Sequence, residues 1–146
     1  VTGENWDGTS YSGYSFEGDL DGSDNWEYIC SVDSSASWNA EYNYPVFNFA
    51  NNYGSYAGLE GTEYESGWYV PSIAELYDVY TNKTTIQTSM NAAGGFDVES
   101  GYYWSSSQSV DDEYYALGVN FSNGEVNEKD KYWNNLNLFG VHIFDL

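Results

Sequence analysis

At 146 residues the chain is long enough for one domain with a real hydrophobic core. Twenty-three acidic residues face only Lys83, Lys129 and Lys131, for a net charge of -20. Such a surface argues against nucleic acid and anionic membranes; a solvated, aggregation-resistant exterior is the stronger reading and a cationic partner or bound calcium the sharper one. Sixteen Tyr, 7 Phe, 6 Trp and only two Pro argue against a disordered acidic tail, and no apolar run approaches the ~20 residues of a membrane-inserted helix.

Residues 1–40 are rich in Gly, Ser, Asp, Asn and aromatics and read as loops, with short strands at 11–16 and 26–32. Val1, with no initiator methionine or basic leader, reads as a processed or trimmed start. Asp19, Asp21 and Asp24 surround a glycine turn and are the weak candidates for a metal. They lack the 12-residue loop and terminal Glu of an EF-hand, so a solvated turn is the stronger reading. The lone Cys30, which excludes an intrachain disulfide, reads as a small buried residue beside Tyr28 and Ile29.

Pro45 suits the first turn of a short helix that Gly54 would stop in a left-handed conformation, with Phe47 and Phe49 on different faces. Ser72 and Glu75 have capping-box spacing, and Ile73, Leu76, Val79 and Tyr80 recur at helical intervals, which predicts a helix ending near Asn82. A second helix, from Thr85 to Ala93, carries Ile86 and Met90 on one face and stops at Gly94-Gly95. From Tyr102 the period changes to two. Leu117, Val119 and Phe121 alternate with Gly118 and Asn120, and Asn123-Gly124 is a tight-turn signal, so 116–126 is predicted as a hairpin. A last strand is expected over 138–144. Two or three short helices and a small antiparallel sheet give an α+β fold in a single domain, 1–146.

The order of Gly67-Trp-Tyr-Val-Pro-Ser-Ile-Ala-Glu-Leu76, Tyr103-Trp-Ser-Ser-Ser107, Val119-Asn-Phe-Ser-Asn-Gly124 and Val141-His-Ile-Phe144 resembles a bacterial C-type-lectin-like family related to the formylglycine-generating-enzyme fold. Within it the chain looks most like the variable proteins of diversity-generating retroelements, in which adenine-directed mutagenesis rewrites asparagine codons. The resemblance implies a C-type lectin fold, a diversified region within 102–146 and display at a cell or virion surface. The chain departs from the family at Phe139 and His142, where members usually carry arginines.

The candidate ligand-binding residues are Gln108, Asp111, Asp112, Tyr114, Asn127, Asp130, Tyr132, Trp133, Asn134, Asn135 and Asn137. Tyr and Trp give contact area at small entropic cost, and Asn and Asp add hydrogen bonds. The partner expected is an external protein or other macromolecule. Calcium-dependent carbohydrate binding is one minority reading: Trp133-Asn134-Asn135 resembles the calcium-site motif of sugar-binding lectins, but no Glu-Pro-Asn or Gln-Pro-Asp partner lies upstream. A structural cell-surface module with no ligand of its own is another. No catalytic constellation is visible. The formylglycine-generating relatives use paired cysteines, and the sole histidine, His142, lies in an apolar terminal stretch. The domain is therefore expected to be non-enzymatic, without a required cofactor.

Overall fold

The computed structural model describes residues 20–95, 97–109, 111–131 and 137–142. The strand expected at 11–16, together with Asp19, Tyr132, Trp133, Asn134 and Asn135, lies outside the described residues.

The helix Asn25–Val32 (α1) occupies a stretch expected to be a strand. Trp26, Ile29 and Cys30 also fit a helical stripe, and tertiary contacts favour that period. Trp26 stacks on Phe47 at 5.5 Å, and the Asn25 side-chain amide donates to Ser106 Oγ at 2.6 Å. Cys30 is half-buried rather than buried. Ser34–Trp38 (α2) and Ala40–Asn43 (α3) follow, so the second half of the expected loop region is helical. Asp33 caps α2 by accepting from Ser35 N at 2.8 Å.

Pro45–Asn51 (α4) begins at its proline, as expected, and Tyr53–Tyr56 (α5) continues past the position predicted to stop it. Gly54 lies buried inside α5. A Cβ there would come within 2.6 Å of the Glu65 carbonyl carbon, so close backbone approach, not a left-handed stop, demands glycine. The left-handed residue comes later, at Gly58 with φ 69°.

After the short strand Trp68–Tyr69 (β1), the capping box opens Ile73–Thr81 (α6). Ser72 Oγ accepts from Glu75 N at 3.3 Å, and Glu75 Oε2 accepts from Ser72 N at 2.8 Å. The same carboxylate accepts from Gly22 N at 2.9 Å and from Tyr69 Oη at 2.8 Å, tying three chain segments to one helix start. Lys83–Ala92 (α7) follows, before Gly94 at φ 75°.

Tyr102–Gln108 (β2), Tyr115–Asn120 (β3) and Glu125–Asp130 (β4) form an antiparallel meander, in which β3 and β4 are the predicted hairpin with Gly124 at φ 80° in its tight turn. The described part of the expected last strand, 138–142, is instead divided between two strands, and 143–144 lie outside the described residues. Asn137–Leu138 (β5) runs parallel to β2, giving a mixed sheet ordered β4-β3-β2-β5, whereas Val141–His142 (β6) pairs antiparallel with β1. Phe139, packed against the main core, and Gly140, over the Trp68 ring, divide them. His142 Nε2 lies 2.7 Å from the Ser66 carbonyl oxygen, and its ring meets Trp68 and Tyr64 edge-on.

Ile73 and Leu76 of α6 pack on Tyr103, Leu117, Val119, Phe121 and Val126, so the core lies between this helix and one face of the sheet. The fold is α+β. No helix among the described residues is long and apolar enough to cross a membrane.

Candidate functional site

The serine run in β2 sets up the site. Trp104 pairs with Gly118 and Gln108 with Ala116, so β2 spends four residues where β3 spends two, and the excess bulges toward α6. Small hydroxyl residues fit this crowded position because each finds a partner. Ser105 Oγ donates to Leu117 O at 2.7 Å, Ser106 N to Pro71 O at 2.7 Å, and Ser107 Oγ accepts from Ile73 N at 2.8 Å. The end of β2 is thereby riveted to the start of α6.

From this anchor the chain projects as a loop organised by buried Ser109. Its N–H donates to Tyr115 O at 3.0 Å, and its Oγ accepts from Asp111 N at 3.0 Å and Asp112 N at 3.3 Å while donating to Glu128 Oε1. Asp112 Oδ1 accepts from Tyr114 N at 2.9 Å. These bonds satisfy loop backbone groups, and Asp111, Asp112 and Tyr114 are exposed, Tyr114 by 57%.

Lys131 closes the arrangement. Its Nζ donates to Gln108 Oε1 at 2.6 Å and to Glu113 O at 2.7 Å, and its N–H donates to Tyr114 O at 3.0 Å. Desolvation pushes the ammonium below the usual lysine value, opposed by the Glu113 and Asp112 carboxylates. Asp130, exposed at the end of β4, pairs with Tyr115. Gln108, Asp111, Asp112, Tyr114 and Asp130 therefore share one end of the sheet.

Asn127 sits further along β4, opposite Gly118 and on the same sheet face as Gln108 and Lys129. It neighbours a small polar group: its Nδ2 is 3.5 Å from Tyr102 Oη, and Lys129 Nζ lies 3.9 Å above the Tyr102 ring. Hydrogen bonds from Asn127 and then Asn123 hold the Glu125 carboxyl below its usual value. Asn137 is half-buried beside Tyr103, toward the opposite end of β2 from the loop. The structure does not bring it together with Asp111 and Tyr114. At the acidic turn, Asp21 Oδ1 accepts from Ser23 N at 2.9 Å and Asp24 occupies the N-cap position of α1. Among the described residues no group of three or more His, Cys, Asp or Glu is arranged to hold a metal ion.

Residues 8–141 match the family model of the Lcl C-terminal domain. The chain belongs to the Lcl C-terminal domain family. No curated protein and no solved structure matches it.

Two organisers of this Lcl C-terminal domain escaped the sequence reading. Ser109 is followed by acidic residues two and three positions on, a pattern in which a hydroxyl can cap a turn, and that signal was available. Lys131 carried no signal beyond its charge, because its partners Gln108 and Glu113 are brought near only by strand register.

Proposed function

We propose that this domain is a non-catalytic ligand-binding module with a C-type lectin fold, whose diversified surface recognises an external protein or other macromolecule. What supports the reading most is the gathering of Gln108, Asp111, Asp112, Tyr114 and Asp130 at one end of a sheet whose core is built from other residues. An exposed phenol among carboxylates and amides is chemistry suited to protein recognition. Membership of the Lcl C-terminal domain family agrees with a binding role.

On this reading the domain needs no cofactor, acts at a cell or virion surface, and tolerates replacement of its outward side chains. Diversification by a retroelement is the finer part of the proposal. Sequencing the segment encoding residues 102–146 across isolates tests it. Substitutions should concentrate at Asp111, Asp112, Tyr114, Asn127, Asp130 and 132–137, spare Leu117, Val119 and Val126, and accompany a neighbouring reverse transcriptase with an imperfect copy of the segment. An invariant segment, or changes spread evenly over core and surface, would refute it.

A further inference from the structure

Away from the loop, between α4, α5, α7 and the β5–β6 connection, lies a recess of about 280 Å³. Its walls include Phe49, Tyr53, Trp68, Met90 and Phe139, and Asp97 stands among them. These rings are not sealed into the core: Phe49 is 44% exposed, and Tyr53, Trp68 and Phe139 are only half-buried. Large aromatic surface left open around a concavity marks a binding site more often than an unfinished core.

The rings are held firmly. Tyr53 and Trp68 pack with centroids 4.6 Å apart, and Trp68 Nε1 donates to Tyr64 O at 2.8 Å. Asp97 is also positioned, because Gln87 Nε2 donates to its Oδ1 at 2.9 Å while Gln87 Oε1 accepts from the neighbouring Val98 N. A fixed carboxylate beside several aromatic rings favours one ligand class. Ring faces attract cations, the carboxylate adds a counter-charge, and a net charge of -20 concentrates cations around the molecule.

We infer that this recess binds a small free alkylammonium compound, of the quaternary or methylated amine class. Its size suits a compact head group, and its apolar walls reward methyl groups that a bare ammonium lacks. The site is separate from the loop at the other end of β2, so it stands or falls independently of the proposed recognition surface.

The test is a titration of the whole chain with choline, followed by NMR and by tryptophan fluorescence, alongside the neutral isostere 3,3-dimethylbutan-1-ol. Saturable millimolar binding of choline is expected, with the alcohol about tenfold weaker, a difference of about 1.4 kcal/mol. Asp97→Asn should weaken choline roughly twofold to fivefold and leave the alcohol unchanged. Tyr53→Leu should weaken choline by a similar factor with little change in melting temperature. Equal affinity for choline and the alcohol, no saturable binding, or an Asp97→Asn variant that binds choline as well as the parent would overturn the inference.

Discussion

Lys131 Nζ and Gln108 Oε1 meet at 2.6 Å across 23 residues of chain, joining the end of β4 to the end of β2. Lys131 also holds the carbonyl of Glu113, so one side chain closes the base of the loop that carries Asp111, Asp112 and Tyr114. Replacing Lys131 by Ala should loosen that loop without unfolding the domain. Hydrogen exchange at 111–114 is expected to speed up severalfold, with global stability lower by about 1 kcal/mol or less. Unchanged exchange in the loop would show that Ser109 alone holds it.

The capping box at α6 has a different reach. Ser72→Ala removes the acceptor for Glu75 N and should cost about 0.5–2 kcal/mol of unfolding free energy. Glu75→Ala should cost more, because Gly22 N, Ser72 N and the Tyr69 hydroxyl lose their shared acceptor together. Chemical denaturation of both variants ranks them. An equal loss would mean that the Gly22 and Tyr69 contacts contribute nothing.

Gly124 is fixed by two independent demands. Its φ of 80° disfavours side chains, and a Cβ would press into the Tyr80 ring, with Cζ only 2.7 Å away. Gly124→Ala should therefore destabilise by more than about 1 kcal/mol, measured by urea midpoint, rather than stabilise as Gly→Ala does at permissive sites.

The pH dependence should carry the mark of Asp33 and Tyr44, whose hydroxyl donates to Asp33 Oδ2 at 2.7 Å. The Tyr44 bond, then those from Ser35, hold the Asp33 carboxyl below its usual value. Its contribution is thus present above the ordinary aspartate value of about 3.9 and is lost as pH falls through the lower folded value. Burial, then Asp33, pushes Tyr44 up to about 12. That contribution is full below the ordinary tyrosine value of about 10 and is lost as pH rises toward the folded one. Tyr44→Phe should flatten both limbs of a plot of melting temperature against pH. An unchanged alkaline limb would remove Tyr44 from the account.

Local signals carried much of the fold. Ser72 with Glu75 marked the start of α6, Asn123-Gly124 marked the hairpin turn, and alternation of Leu117, Val119 and Phe121 gave the core face of β3. What escaped depended on distant contacts. The 26–32 segment fits both strand and helix periods, and contacts of Trp26 with Tyr44 and Phe47 and of neighbouring Asn25 with Ser106, all distant in sequence, favour the helix. The break between β5 and β6 likewise follows from partners in β2 and β1 rather than from any local breaker except Gly140. For the candidate surface, residue types pointed to Asp111, Tyr114 and Asp130, but no periodicity could tell that Asn137 lies toward the other end of β2 from the loop.

The central claim is that the outward residues at the loop end can change while the frame stands. Equilibrium denaturation of an Asp111→Ala, Tyr114→Ala, Asp130→Ala triple variant beside Leu117→Ala tests it most directly. Leu117 is 0% exposed, so its truncation should cost about 2–5 kcal/mol. The triple variant should keep its stability within about 0.5 kcal/mol per site. A triple variant that unfolds as readily as Leu117→Ala would contradict the account.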